Sequence, residues 1–161
     1  MIAIRPATAA DTTAMDRMLR GLAASLGQSD KYLGSSAALA LHGFGPEPAF
    51  FARLATEDDQ AVGMVVYFWE FSTWRAQRGV FIQDLFVNPE LRGTGLGKRL
   101  LLAAAEHGRS VDAAYLRLSV DNANLGAARF YQRLGFRVME EDSLMLLHGE
   151  AYQALQSGAV S

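Results

Sequence analysis

Cysteine is absent from this 161-residue chain, so disulfides, cysteine-ligated zinc, iron–sulfur clusters and a cysteine nucleophile are all excluded. An excess of charge of either sign is also missing. The 15 Lys+Arg against 17 Asp+Glu leave a formal net charge of −2, and without a basic footprint the chain is not expected to bind nucleic acid. Long apolar runs are missing too: the most apolar window, residues 62–69, contains Gly63 and is about eight residues long, against roughly 18 needed to cross a bilayer. No membrane association is expected. Met1-Ile2-Ala3-Ile4-Arg5-Pro6 does not show the basic-then-apolar pattern of a secretory leader, so a cytoplasmic location is the expectation. His42, His107 and His148 stand far apart with no metal-ligand spacing, and no metal is expected. No repeat and no Pro/Gly/Ser-rich linker divides the chain, so residues 1–156 read as a single domain with a flexible tail over 157–161.

What is present is enough apolar material for a core, 50% of residues, in a chain long enough to bury roughly 70% of its unfolded surface. Residues 2–5 read as a short strand, and Asp11 as the cap of a helix with Ala14, Met15, Met18, Leu19, Leu22 and Leu26 on one face. A mixed segment over 27–48, expected to be mobile or substrate-facing, includes a short helix from about Ser35. Strands follow over 49–55, 61–71 and 79–87, the first two joined by the acidic turn Glu57-Asp58-Asp59-Gln60. The strongest helix covers 95–107, with Leu96, Leu100, Leu101 and Ala104 at helical spacing. A strand over 115–120, a helix over 125–134 capped by Asn124, and last strands over 136–138 and 143–148 complete the order. Three successive strands before the main crossover helix fit neither a TIM barrel nor a doubly wound sheet. They predict an α+β mixed sheet with helices on both faces.

The most informative stretch is Val87-Asn88-Pro89-Glu90-Leu91-Arg92-Gly93-Thr94-Gly95-Leu96-Gly97-Lys98. Gly93, Gly95 and Gly97 leave a strand and enter a helix, so backbone N–H groups can converge on an anion at the positive end of the helix dipole. A P-loop would need glycine at 92 and Ser or Thr at 99, where Arg92 and Arg99 stand; the dinucleotide fingerprint from Gly93 would need glycine at Lys98. What fits is Arg92-x-x-Gly95-x-Gly97 after Leu85-Phe86-Val87-Asn88-Pro89, which resembles the pyrophosphate loop of the GNAT acetyltransferase superfamily. Downstream, Asn124-x-x-Ala127-x-x-Phe130-Tyr131-x-x-x-Gly135-Phe136 resembles that family's second segment. The resemblance covers essentially the whole chain.

It implies a mixed, mostly antiparallel sheet of six or seven strands, splayed between strands 4 and 5 around acetyl-CoA, the acetyl donor. Leu85, Phe86 and Val87 would hold the cofactor and polarise its thioester through backbone N–H groups. Arg92, Gly93, Thr94, Gly95, Gly97 and Lys98 would receive its phosphates, with Arg99 a further contact, and Asn124 would also bind it. Tyr131 matches the position proposed to protonate the leaving thiolate. An alkyl ammonium of pKa about 10.4 must lose a proton before it can attack, at a cost of about 4.6 kcal/mol at pH 7, so the site needs a proton acceptor.

Within the superfamily, His42-Gly43-Phe44-Gly45, Phe50-Phe51, Tyr67-Phe68, Ser72-Thr73-Trp74 and Gln83-Asp84-Leu85-Phe86-Val87 resemble the spermidine/spermine (diamine) N-acetyltransferase branch. That branch has an acidic pair where this chain has Gln83-Asp84, and an amide at 83 cannot take a proton. Asp84 or Glu70 is the substitute base, or a water relay past Gln83 serves. Residues 21–55 carry only Asp30 and Glu47 as acids, too few for a polycation. The expected acceptor is therefore the primary amine of a small molecule, a short diamine, a polyamine-like amine or an amino-acid-derived amine, with Trp74, Glu70 and Asp84 at its site. Tyr32, Phe44, Phe50, Trp69, Phe71 and Trp74 are candidates for an ammonium cage. A protein N-terminal or lysine acetyltransferase and a non-catalytic acyl-CoA-binding module are the alternatives. The apolar run Leu144-Met145-Leu146-Leu147 suits a homodimer contact, as is common in the superfamily.

Overall fold

The computed structural model describes residues 1–158; the last part of the expected tail, residues 159–161, lies outside the described residues. Five strands are present among them: β1 (Ala3–Pro6), β2 (Phe51–Glu57), β3 (Gln60–Ser72), β4 (Gln77–Val87) and β5 (Tyr115–Leu118). They form one sheet in the order β1-β2-β3-β4-β5, antiparallel except for the parallel β4–β5 pair. Five helices accompany them: α1 (Thr12–Ser25), α2 (Ser36–Gly43), α3 (Leu96–Gly108), α4 (Leu125–Arg133) and α5 (Gly149–Gln156).

The α+β class, the mixed sheet and the helix on each face agree with the sequence reading, but the strand count is five rather than six or seven. Residues 136–138 and 143–148 enter no ladder among the described residues. A strand exists through the partner that satisfies its backbone groups, and propensity alone does not supply one. The short helix α5 was not foreseen, and Ser35 caps α2 as the sequence suggested, its hydroxyl accepting from the Ala38 N–H at 3.1 Å.

Among the described residues, 1–127 form one compact unit and 128–158 a second. In the first unit the alternation of a strand sends successive side chains to opposite faces. Met64, Val66 and Phe86 point to the α1 side, where they pack with Met15, Met18, Leu19, Ala52 and Leu54. The other face receives α3 through buried Leu96, Leu100, Leu101 and Ala104. The approach is close: a side chain begun at Gly63 would stand 3.2 Å from Leu100 Cδ1. Also on that face, the fully buried Tyr67 hydroxyl lies 2.8 Å from His107 Nδ1 and accepts from Arg53 Nε at 3.2 Å. This network gives the otherwise isolated His107 a structural partner, and burial pushes the tyrosine up and the imidazole down.

In the second unit, α4 closes with a Schellman motif. The Phe136 N–H donates to the Tyr131 carbonyl at 3.1 Å and the Gly135 N–H to that of Gln132 at 3.0 Å. The Phe136 ring then meets Tyr131, centroids 5.4 Å apart, and Phe130 meets it from the other neighbour at 5.0 Å. The spacing Tyr131-x-x-x-Gly135-Phe136 is thus what this helix stop requires.

Candidate active site

The site begins with an irregularity in β4. Val66 pairs with Asp84, but the next residue, Tyr67, pairs with Ile82, leaving Gln83 as the extra residue of a β-bulge. The bulge re-aims everything beyond it. In a regular strand Ile82 and Asp84 would share a face; here Ile82 sits opposite Tyr67 on the α3 side, and Asp84 opposite Val66 on the α1 side.

At the same point the sheet opens. The β4–β5 ladder covers only Gly79–Ile82 against Tyr115–Leu118, while β4 continues to Val87. From Gln83 onward the edge of β4 that faced β5 is without a ladder partner among the described strands. This is the splay expected between strands 4 and 5, and it leaves the backbone of Leu85, Phe86 and Val87 along one wall of the gap. Phe86 itself is buried, its side chain filling the α1 core, so its contribution at the wall is its backbone.

Asp84 stands at the mouth of this opening. Burial raises its carboxyl to about 6, which places it among groups able to exchange protons near neutrality. Tyr32 lies close enough for its phenol to feel the Asp84 charge. That phenol donates to Asp16 Oδ1 at 2.8 Å and is pushed up to about 12 by burial and by this bond. Arg20 bonds Asp16 at 3.0 Å, stacks over the Tyr32 ring at 5.2 Å and donates to the Gly34 carbonyl, so α1 holds the loop before α2 in place. Asp16 and Arg20 were not foreseen as part of the site; their spacing of four on a helix was the available signal.

Beyond β4 the chain enters the glycine loop. Gly93 and Gly95 have φ of 79° and 86°, and nothing stands within 4 Å of where either would carry a Cβ. Gly95 opens α3 with no side chain capping its first turn, and uncapped first-turn N–H groups beside open space suit phosphate oxygens. Arg92 is tethered by Nε to the Val87 carbonyl at 3.3 Å, which ties the loop to the end of β4. Lys98 is exposed in the first turn, with Gly97 half-buried beside it. Thr94 is exposed, and its hydroxyl donates to the Leu91 carbonyl. Arg99 points elsewhere, donating to the Ile2 carbonyl at 2.7 Å beside β1.

The remaining expected residues divide. Asn124 Oδ1 accepts from the Ala127 N–H at 3.1 Å, a helix cap. Glu70 lies on the same face of β3 as Val66, four residues along, about 13 Å from the level of Asp84. Trp74 is 98% exposed in the β3–β4 turn, about 20 Å along the hairpin from Val66 at strand rise, and is not brought to Asp84. The suggested ammonium cage does not assemble: Tyr32, Phe44 and Phe50 pack on the α1 core, Trp69 lies against His107 on the opposite face, and Phe71 is exposed. The described residues hold no group of three or more His, Asp or Glu able to take a metal, and none of their helices is long and apolar enough to cross a membrane.

The model of the acetyltransferase (GNAT) family matches residues 21–136. The chain is 32% identical over 148 residues to a thialysine N-epsilon-acetyltransferase of Sus scrofa, covering 87% of this chain and 86% of that protein. It is 32% identical over 110 residues to an L-ornithine N5-acetyltransferase of Arabidopsis thaliana, covering 68% of this chain and 48% of the relative. Among solved structures, an integron cassette protein from the V. cholerae mobile metagenome superposes with a TM-score of 0.78 at 21% identity, covering 99% of this chain and 98% of its own.

Proposed function

From the premise that the chain belongs to the GNAT family and is an N-acetyltransferase, we propose that it moves an acetyl group from acetyl-CoA directly to the primary amine of a small molecule. The observation that carries this reading is the coincidence, within one strand, of the Gln83 bulge, the end of the β5 ladder and the buried carboxylate of Asp84. The relatives named for thialysine and ornithine acetylation support a small amine as acceptor.

Acetyl-CoA supplies an acyl group activated as a thioester. The first turn of α3, with Gly93, Thr94, Gly95, Gly97 and the cations Arg92 and Lys98, would hold its phosphates, and Asn124 would contact it through its amide nitrogen. The backbone N–H groups of Leu85 to Val87 orient the donor and stabilise charge on the thioester oxygen. Asp84, not the amide of Gln83, takes the proton from the incoming ammonium, directly or through water. Transfer joins the amine nitrogen to the acetyl carbon and breaks the carbon–sulfur bond, with Tyr131 donating to the departing thiolate. Tyr131→Phe is therefore expected to lower kcat by about tenfold or more while the KM for acetyl-CoA stays within about twofold; an unchanged kcat would remove Tyr131 from the mechanism.

The pH dependence follows from Asp84. Only its ionised form accepts a proton, so kcat/KM should rise with pH and level off above about 6 as far as this group is concerned. Asp84→Asn should abolish that limb, and a limb that persists in the variant would assign it to another group.

We also propose a homodimer. Leu144, Met145 and Leu146 are 88%, 90% and 80% exposed, and a second copy of the chain is the partner such an apolar run suits. Light scattering at micromolar concentration should give twice the chain mass, and Leu146→Lys should return the monomer.

A further inference from the structure

A cavity of about 400 Å³ opens on the α3 face of the sheet, lined by Ile4, Arg53, Ala103, Glu106, His107 and Ser110. The sheet and the helix each supply one wall. Ile4 pairs with Ala55, two residues along β2 from Arg53, so Ile4 and Arg53 stand on the same face of the β1–β2 ladder. Glu106, His107 and Ser110 follow Ala103 by three, four and seven positions, one stripe along the end of α3 and the turn after it. The glycine loop lies at the opposite end of that helix, Gly95 and His107 being about 18 Å apart at helix rise. Asp84 faces the α1 side of the sheet, so the cavity is separate from the site described above.

The Tyr67 network decides what this cavity offers. Arg53 Nε donates to the Tyr67 hydroxyl at 3.2 Å, and the phenol is closed to solvent, so its own proton goes to a protein acceptor. That acceptor is His107 Nδ1, 2.8 Å away. The neutral imidazole therefore carries its hydrogen on Nε2, across the ring from the phenol, and burial favours that neutral form. Arg53 makes no other hydrogen bond or ion pair among the described residues. Its two Nη groups, held in one orientation by the Nε bond, keep their donors for a ligand, and a planar fork of this kind matches a carboxylate. The carbonyls that end α3 do not compete: that of His107 accepts from Ser110 Oγ at 2.7 Å and that of Gly108 from the Ala113 N–H at 2.9 Å. Glu106 sets the charge limit. It is exposed and joins no ion pair among the described residues, so it opposes a second negative charge in the cavity. Ile4 and Ala103 supply apolar lining. We infer that the cavity binds a small monocarboxylate with a short apolar tail, its head on the Arg53 Nη pair and His107 Nε2 and its tail against Ile4 and Ala103.

The test reads binding by backbone-amide NMR on the full chain, so its outcome does not depend on whether any amine is acetylated. Titrated with sodium butyrate at constant ionic strength, the amides of Ala103, Glu106, His107 and Ser110 should shift saturably. The same concentration of n-butanol, which has the tail without the charge, should leave them in place. Arg53→Gln should weaken butyrate binding by about tenfold or more, as expected for losing charged hydrogen bonds to a ligand. Because that variant also disturbs the bond to Tyr67, Glu106→Gln supplies a result that a damaged fold cannot mimic: butyrate should bind about threefold more tightly once the opposing carboxylate is gone. Inorganic phosphate at pH 8, a dianion, should bind wild type at least about threefold more weakly than butyrate, for the same reason. Shifts absent or scattered over the surface, equal shifts with butanol, an affinity that Arg53→Gln does not lower or Glu106→Gln does not raise, or phosphate bound more tightly than butyrate would each overturn the assignment.

Discussion

Replacing Asp84 with asparagine is expected to lower kcat/KM for a primary amine by about 10² to 10⁴-fold while making the folded protein more stable. The two effects have one cause. Burial raises the carboxyl from 3.8 to about 6, so between those values the folded state binds more protons than the unfolded chain. Stability contributed by this group is therefore fully present below the unfolded value and is lost as pH rises through about 6. At neutral pH the ionised Asp84 costs up to about 3 kcal/mol, and an amide of the same shape removes that cost. Thermal unfolding of wild type and Asp84→Asn at pH 7 and at pH 4 should show a higher Tm for the variant at pH 7 and a gap that narrows at pH 4. A variant that retains its activity would transfer the base to another group, and one destabilised at both pH values would show that Asp84 is held for packing.

Gly95→Val is expected to raise the KM for acetyl-CoA by more than about 30-fold while the acceptor's KM changes little. Gly95 has φ of 86°, a conformation that a β-branched residue adopts only at a cost of about 1–3 kcal/mol. The space a side chain would enter is empty and adjoins the uncapped N–H groups at the start of α3. The substitution thus strains the loop and fills the cradle at once. Calorimetric titration with CoA separates this from unfolding, since circular dichroism should stay native. Unchanged CoA affinity in a folded variant would remove the loop from cofactor binding.

Some of this architecture was legible because it is local. The glycine loop, the helical spacing of Leu96, Leu100, Leu101 and Ala104, and the Gly135-Phe136 helix stop each follow from a few neighbouring residues whose conformational demands are specific. The apolar run over 61–71 likewise gave the extent of β3 to within a residue at each end. The bulge could not be read this way. Nothing in Ile82-Gln83-Asp84 announces that the face changes between them, and it is that change which turns Asp84 toward α1. Glu70 and Arg117 are 47 positions apart, a pairing that only the strand order creates. The expected strands over 136–138 and 143–148 failed for the complementary reason, since apolar letters describe a strand's faces and leave its partner unstated. The aromatic residues suggested as a cage are separated by the sheet itself: Tyr32, Phe44 and Phe50 pack on the α1 core, while Trp69 lies against His107 on the other face.

The most direct measurement is acetyl-CoA-dependent release of free thiol across L-lysine, L-ornithine, thialysine, cadaverine, spermidine and peptides with free N-termini. The account predicts saturable turnover on the small amines, lost in Asp84→Asn. Turnover confined to peptides, or firm acetyl-CoA binding with no thiol released for any of these amines, would contradict it.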